Sequence, residues 1–327
     1  MEFEKNQIFS IGSAEAFHER ALHVFHDQYR NNPVYQEFCD HLKKTPRKVS
    51  LLEDIPFLPI QFFKSKKVLT GNGETEIIFT SSGTSGAVTS NHLVTDLKLY
   101  EASFLRAFEL FYGPIANYCV LALLPSYLER KGSSLIYMAE SLIQKSNHPQ
   151  SGFYLNNLDD LKKQLLSLQN DKKKVLLIGV SFALLDLAET SDVPLKNVIV
   201  METGGMKGRR KEMIRSELHS ILRKAFGVEQ IHSEYGMTEL LSQAYSQGNG
   251  IFNCPPWMKV LIRDTEDPLH FQAHGKTGGI NVIDLANSNS CSFIATQDLG
   301  KVYGNGSFEV LGRFDHADVR GCNLMVI

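Results

Sequence analysis

Glu76-Ile77-Ile78-Phe79-Thr80-Ser81-Ser82-Gly83-Thr84-Ser85-Gly86 is a short apolar run leading straight into small hydroxylated residues and glycines. The bulky trio Ile77 to Phe79 suits a strand, and the small residues after it suit a loop. Glycine lets a main chain approach an anion closely, so that N–H and O–H groups point at its oxygens. The loop lacks the lysine of a Walker motif and is not a GxGxxG, so it fits neither of those phosphate signatures. Taken alone, a Ser/Gly-rich surface turn explains it equally well.

Working outward, the same alternation of strand and helix continues. Asp96 to Phe111 has helical periodicity and Cys119 to Leu124 is a buried strand. The helix Leu158 to Leu168 precedes the strand Val175 to Ile178, and the strand Val198 to Met201 precedes the helix Arg209 to Phe226. Isolated strands separated by helices of this length predict an α/β fold with a parallel sheet buried on both faces. After Glu239 the segments shorten, and Gly248-Asn249-Gly250, Gly278-Gly279 and Gly304-Asn305-Gly306 predict hairpins in a mostly β region. Upstream, Ser13 caps a helix that carries Phe17, Leu22 and Phe25 on one face, and a second helix starts at Pro33. Ile55-Pro56-Phe57-Leu58-Pro59 reads as a rigid extended linker, because a residue before proline is pushed out of the helical region. The expected layout is a helical segment over 1–75, an α/β nucleotide- and acyl-binding core over 76–240, and a β-rich part over 241–327, all in one unit.

The chain has 327 residues, a formal net charge of -2 and a pI near 6.6, so no global field favours nucleic acid or anionic lipid. Met1 to Ser10 contains no apolar signal core. The longest apolar run, Tyr118 to Leu124, is far too short to span a bilayer. The five cysteines show no CxxC pair and no zinc spacing, which predicts reduced thiols in the cytoplasm. Cys39, Cys119, Cys254 and Cys291 read as core or neutral positions; Cys322, two residues after Arg320, does not.

Three further segments stand in order after the loop: His232-Ser233-Glu234-Tyr235-Gly236-Met237-Thr238-Glu239, Thr296-Gln297-Asp298-Leu299-Gly300, and Gly312-Arg313-Phe314-Asp315-His316-Ala317-Asp318-Val319-Arg320-Gly321. Together with Thr80 to Gly86 they resemble the four signatures of the adenylate-forming enzymes, which include acyl-CoA synthetases and peptide-synthetase adenylation domains. The resemblance spans about Glu76 to Gly321. It implies that Ser81, Ser82, Gly83, Thr84, Ser85 and Gly86 hold the ATP triphosphate. The flat ring of Tyr235 would stack on adenine, Glu234, Gly236 and Met237 would belong to the nucleotide site, Thr238 would donate to the α-phosphate, and Glu239 would hold Mg²⁺ near the phosphates. Asp298 would accept the ribose hydroxyls and Arg313 would reach ribose and phosphates. The run Glu202-Thr203-Gly204-Gly205-Met206-Lys207 would line the adenine and acyl pocket, with Lys207 in reach of phosphate. Two positions depart from the family pattern: Gln297 replaces the usual glycine, and His316 stands where a second aspartate is common.

Typical members carry a mobile C-terminal domain with a catalytic lysine, whereas this sequence stops at Ile327. The short form resembles the acyl-protein synthetases of the bacterial luminescence fatty-acid reductase system, with phenylacetate–CoA ligases as next relatives. That resemblance implies an acid–thiol ligase: the acyl group passes from acyl-AMP to a cysteine near the C-terminus, here Cys322, for delivery to an acyl-CoA or acyl-protein reductase or to an acyl carrier. CoA is the other acceptor. Arg320 would favour the Cys322 thiolate. The aliphatic surroundings of Leu123 to Arg130 suit a fatty acid. Two other classes stay open: a catalytically degenerate binder of acyl group or nucleotide, and a serine hydrolase. The hydrolase would use Gly179-Val180-Ser181-Phe182-Ala183 as nucleophile elbow with Asp298 and His316, although Ala183 replaces the second glycine.

Overall fold

The computed structural model describes residues 5–81, 88–124, 132–155, 157–190, 194–205, 210–211 and 213–314. Its first helices begin where the sequence caps them. Ser13 Oγ accepts from the Ala16 amide at 3.2 Å and opens α1 (Ala14–Asn31). Asn32 does the same for α2 (Pro33–His41), whose leading proline lacks only an N–H that the first turn leaves unused. The stretch Ile55 to Pro59 is extended, but it is more than a linker: β1 (Leu58–Pro59) pairs in parallel with Ile294 and Ala295. After the single turn α3 (Phe62–Ser65), β2 (Ile77–Thr80) pairs antiparallel with β3 (Asn91–Val94). The strand opening the Ser/Gly loop therefore belongs to a separate two-stranded ribbon and not to the parallel sheet. Asp96, accepting from the Leu99 amide, caps α4 (Leu97–Tyr112).

The parallel sheet comes next. Its elements are β4 (Tyr118–Leu123), α5 (Ser134–Ser146), β5 (Gly152–Tyr154), α6 (Leu158–Ser167), β6 (Lys174–Val180), α7 (Ser181–Glu189), β7 (Val198–Thr203), α8 (Arg215–Phe226), β8 (His232–Tyr235) and β9 (Ala244–Ser246). Strand order is β5-β4-β6-β7-β8-β9, parallel throughout except for the antiparallel edge strand β9. All of β4 is buried, and so is β6 after its first residue. Side chains such as Leu121, Leu123, Leu176 and Ile178 each contribute on the order of 2 kcal/mol by leaving water. α8 starts at Arg215, later than its periodicity predicts, because Arg210 is held instead by Asp186 and Glu189 of α7. It ends at Gly227, whose φ of +65° and 2.6 Å approach of an added Cβ to the Pro194 ring both demand glycine.

The last part is antiparallel: β10 (Ile251–Phe252), β11 (Met258–Arg263), β12 (Thr277–Asp284), β13 (Phe293–Val302) and β14 (Phe308–Arg313), in the order β10-β14-β13-β12-β11. Gly304-Asn305-Gly306 lies between β13 and β14 as expected of a hairpin, but Gly278-Gly279 falls inside β12 and not in a turn. α1 and α2 pack onto this sheet. The Tyr35 ring stacks on Phe293 at 6.0 Å, and buried Gln28 both donates to the Ser288 carbonyl and accepts from the Ser292 amide. Among the described residues no helix is long and apolar enough to cross a membrane.

Candidate active site

β6, β7 and β8 are parallel and adjacent, so their carboxyl ends, where loops meet in such sheets, lie at one edge. β7 delivers Glu202, Thr203 and Gly204 there, and β8 delivers Glu234, Tyr235 and Gly236. The antiparallel sheet closes from the other side. Asp298 of β13 and Arg313 of β14 are register partners, with Arg313 Nε 3.4 Å from Asp298 Oδ1. The Tyr235 hydroxyl donates to Asp298 Oδ2 at 2.9 Å. Three residues from three sequence segments thus meet. The Tyr235 ring itself packs edge-on against Phe252 and Phe308. Burial pushes the Asp298 carboxyl up; Arg313, the Tyr235 hydrogen bond, and the charges of Arg215 and Arg263 offset this in part.

Glu239 is buried, and burial raises its carboxyl. A hydrogen bond with Ser90, and Arg313 and Lys64 farther off, only partly counter that. The base of the Ser/Gly loop meets it: Ser81 Oγ accepts from the Ser90 amide at 2.9 Å, and the Ser81 amide donates to the Ser90 carbonyl at 3.1 Å. Ser81, Ser90 and Glu239 are therefore one cluster. His92, buried and pushed down to about 4 by that burial, donates from Nδ1 to the Thr238 carbonyl at 2.8 Å. Its Nε2 stands 3.0 Å from Asn287 Oδ1, an acceptor-to-acceptor approach in the neutral ring that a second proton would relieve. Asn287 Nδ2 in turn donates to the Glu239 carbonyl at 2.7 Å. The turn carrying Thr238 and Glu239 is thus fixed by two side chains that no local motif marks.

Behind β7 lies a buried polar cluster. Glu202 accepts from Arg215 Nε at 2.9 Å, and His219 Nε2 lies 3.5 Å from the same oxygen. Burial opposes the Glu202 charge, but His219, Arg215 and Ser233 outweigh it and hold the carboxyl below its usual range. Arg215 also donates to the Val310 carbonyl at 2.8 Å and so ties the parallel sheet to β14. Ser181, the serine of the elbow-like run, is buried and donates to the Gly204 carbonyl at 2.8 Å, the role of a strand-to-helix connection. Glu234 takes the Thr203 hydroxyl at 2.5 Å. Burial, helped by the neighbouring Glu202 charge, pushes it up to about 7.

Ser82, Gly83, Thr84, Ser85, Gly86, Lys207, His316 and Cys322 lie outside the described residues. Ser81, Gly204, Gly205, Glu234, Tyr235, Gly236, Met237, Thr238, Glu239, Asp298 and Arg313 all lie at or beside the carboxyl edge of the parallel sheet or on the strands closing over it. Ser90, His92, Arg215, His219 and Asn287 carry no sequence signature, and Glu202 is marked only as the first residue of the run ending at Lys207. Their partners come from remote segments, so only the presence of polar residues within apolar runs marked the first five.

The residues suit a nucleoside polyphosphate that carries its own cation. Among the described residues no group of three or more His, Cys, Asp or Glu is placed to cage a metal. A buried carboxylate whose charge desolvation disfavours, as at Glu239, is a group that an incoming cation would stabilise.

This sheet pair has the fold of the large N-terminal part of adenylate-forming enzymes. A 2-hydroxyisobutyryl-CoA ligase in the postadenylation state superposes with a TM-score of 0.66 at 12% identity, covering 96% of this chain and 74% of that one. ATP-bound MatB from Rhodopseudomonas palustris superposes at 0.53 and 16% identity, covering 74% of this chain and 49% of that chain. The chain thus spans about half the length of that structure. Within this class the chain belongs to the acyl-protein synthetase family, LuxE, which matches residues 12–327. A long-chain-fatty-acid–luciferin-component ligase of Vibrio harveyi is 24% identical over 323 residues, 90% of this chain and 83% of the relative.

Proposed function

We propose that this protein activates a carboxylic acid with ATP and passes the acyl group to a thiol. The observation that carries the proposal is the convergence of Tyr235, Asp298 and Arg313 with the buried Glu239 and the Ser81–Ser90 loop base at one sheet edge. A carboxylate oxygen of the acid attacks the α-phosphorus in line. The new C–O–P link forms as the bond to the bridging oxygen breaks, giving acyl-AMP and pyrophosphate.

Such a reaction depends on positioning and charge neutralisation, not on a nucleophilic side chain. Asp298 accepts the ribose hydroxyls and Arg313 holds ribose and phosphate. Tyr235 keeps Asp298 in place, with Glu234, Gly236, Met237, Gly204 and Gly205 bordering the nucleoside and acid. Thr84 and Thr238 donate to phosphate oxygens, with Ser81, Ser82, Gly83, Ser85 and Gly86 cradling the triphosphate and Lys207 reaching it. Glu239 would hold Mg²⁺, which would supply neutralisation of phosphate charge. The acyl carbon is then attacked by a thiolate, Cys322 in the first instance or CoA, with AMP leaving. The Vibrio harveyi relative acts on long-chain fatty acids by its name, and the same substrate class is proposed here. A reductase or an acyl carrier in the cytoplasm would then take up the thioester.

The test is acid-dependent ATP–pyrophosphate exchange with Mg²⁺ and acids running from acetate through aryl to long-chain fatty acids. Exchange with one class establishes adenylation and identifies the substrate class. Absence of exchange with every acid favours a non-catalytic binder of acyl group or nucleotide.

A further inference from the structure

Gln243 is 3% exposed, and its Oε1 has no hydrogen-bond partner. An acceptor buried without a partner costs on the order of 1–3 kcal/mol, so it marks a place where a donor from outside the chain belongs. Gln243 sits against Gly236. A Cβ added to that glycine would lie 2.4 Å from Glu234 Oε1 and 3.2 Å from Gln243 Cγ. The missing side chain keeps open a face onto which Glu234 and Gln243 converge.

The side of the sheet decides which ligand that face meets. Successive strand residues point to opposite faces. Tyr235 points towards Asp298, Phe252 and Phe308. Glu234, one residue earlier, points the other way. It is in register with Thr203 and Tyr245, and it adds to the upward push that burial gives the hydroxyls of Tyr100 and Tyr112 of α4. A nucleoside held by Asp298 and Arg313 is on the opposite face from Gln243.

We propose that Gln243 reads a hydroxyl on the acid, so that the preferred substrate is a hydroxylated carboxylic acid and not an unsubstituted one. This rests on the acid-activating reading above. An O–H donor satisfies Gln243 Oε1 without importing charge beside the Glu234 carboxyl. An unsubstituted chain leaves that oxygen unpaired in the complex, which is how sites built around one hydroxyl reject its absence.

The experiment is equilibrium binding of fatty acids of one chain length, plain or hydroxylated at carbon 2, carbon 3 or the terminal carbon, with a non-hydrolysable ATP analogue present. One hydroxylated isomer is expected to bind about tenfold or more tightly than the plain acid, with that ratio falling to near unity in Gln243→Leu. Gln243→Met, which fills the same volume without branching, serves if the leucine variant does not fold. Equal affinity of the wild type for plain and hydroxylated acids overturns the proposal, as does a preference that survives both variants. A parallel arm compares ATP with purine riboside triphosphate, which lacks the exocyclic amine. If Gln243→Leu alters that discrimination and leaves the acid ratio intact, the donor is the nucleotide's and the proposal fails. Failure of the activating reaction shows separately as absent exchange, since the binding ratio needs no turnover.

Discussion

Replacing Tyr235 by phenylalanine removes the hydroxyl's bond to Asp298 together with its interaction with Thr296. The hydroxyl donates to Asp298 Oδ2 at 2.9 Å, while the ring contacts to Phe252 at 5.9 Å and Phe308 at 5.5 Å are untouched. No cavity forms, so the whole effect is electrostatic. A hydrogen bond to a charged group contributes about 1.5–3 kcal/mol. Arg313 cannot take over, because its side chain is 72% exposed and 3.4 Å away, where water screens most of the attraction. The expected loss is therefore about 2 kcal/mol at pH 8, or roughly 3 °C in melting temperature for a chain of this size. The sign with pH is set by Asp298. Burial raises its folded-state carboxyl, and losing a donor to the ionised form raises it further. The deficit is fully present where Asp298 is ionised and shrinks as pH falls through that raised value, because the carboxyl then carries its own proton. Urea unfolding of both proteins at pH 8 and pH 4 measures this, and KM for ATP in the exchange assay is expected to rise about fivefold, roughly 1 kcal/mol. Stability within about 0.5 kcal/mol of wild type at pH 8, with unchanged KM for ATP, would refute the reasoning.

Glu239→Gln is expected to cut ATP–pyrophosphate exchange by about 100-fold or more while leaving the melting temperature equal or higher, since it removes a carboxylate that burial already disfavours; near-normal exchange would remove Glu239 from the metal role. Glu234→Gln should change the shape of the stability–pH curve. With its folded value near 7, above the usual carboxylate range, Glu234 contributes stability that is full below about pH 4 and lost as pH rises to about 7; the variant is expected to lose less stability than wild type between pH 5 and pH 8, and parallel curves would contradict the assignment. Cys322→Ser is expected to abolish a hydroxylamine-labile acyl group on the protein when labelled fatty acid and ATP are supplied. A thioester of undiminished yield on that variant would move the acceptor to another thiol.

How much of the fold and site was legible in the residues alone varied with how local each cause was. Ser13, Asn32 and Asp96 cap helices through bonds spanning three residues, so helix starts could be read directly. The later start of α8 could not, because Arg210 is drawn to Asp186 and Glu189 more than twenty positions away. Likewise Ile77 to Phe79 was recognisable as a strand, but not its partner, since period and propensity say nothing about which edge a strand joins.

The sequence by itself determined the alternation of strands and helices and the shift to hairpins after Glu239, and it singled out Glu239, Asp298 and Arg313 as candidate site residues. Those rest on neighbour-to-neighbour periodicity and on motifs of a few consecutive residues. Only the tertiary structure decided that Tyr235 is the hydrogen-bond partner of Asp298, that Ser90 joins the loop base to Glu239, that His92 and Asn287 hold the Thr238–Glu239 turn, and that Gln243 keeps an unpaired oxygen behind Gly236. Each of these depends on desolvation and on donors and acceptors brought together from distant segments. Burial and hydrogen-bond pairing are properties of the folded surround and are not written in any local stretch of chain.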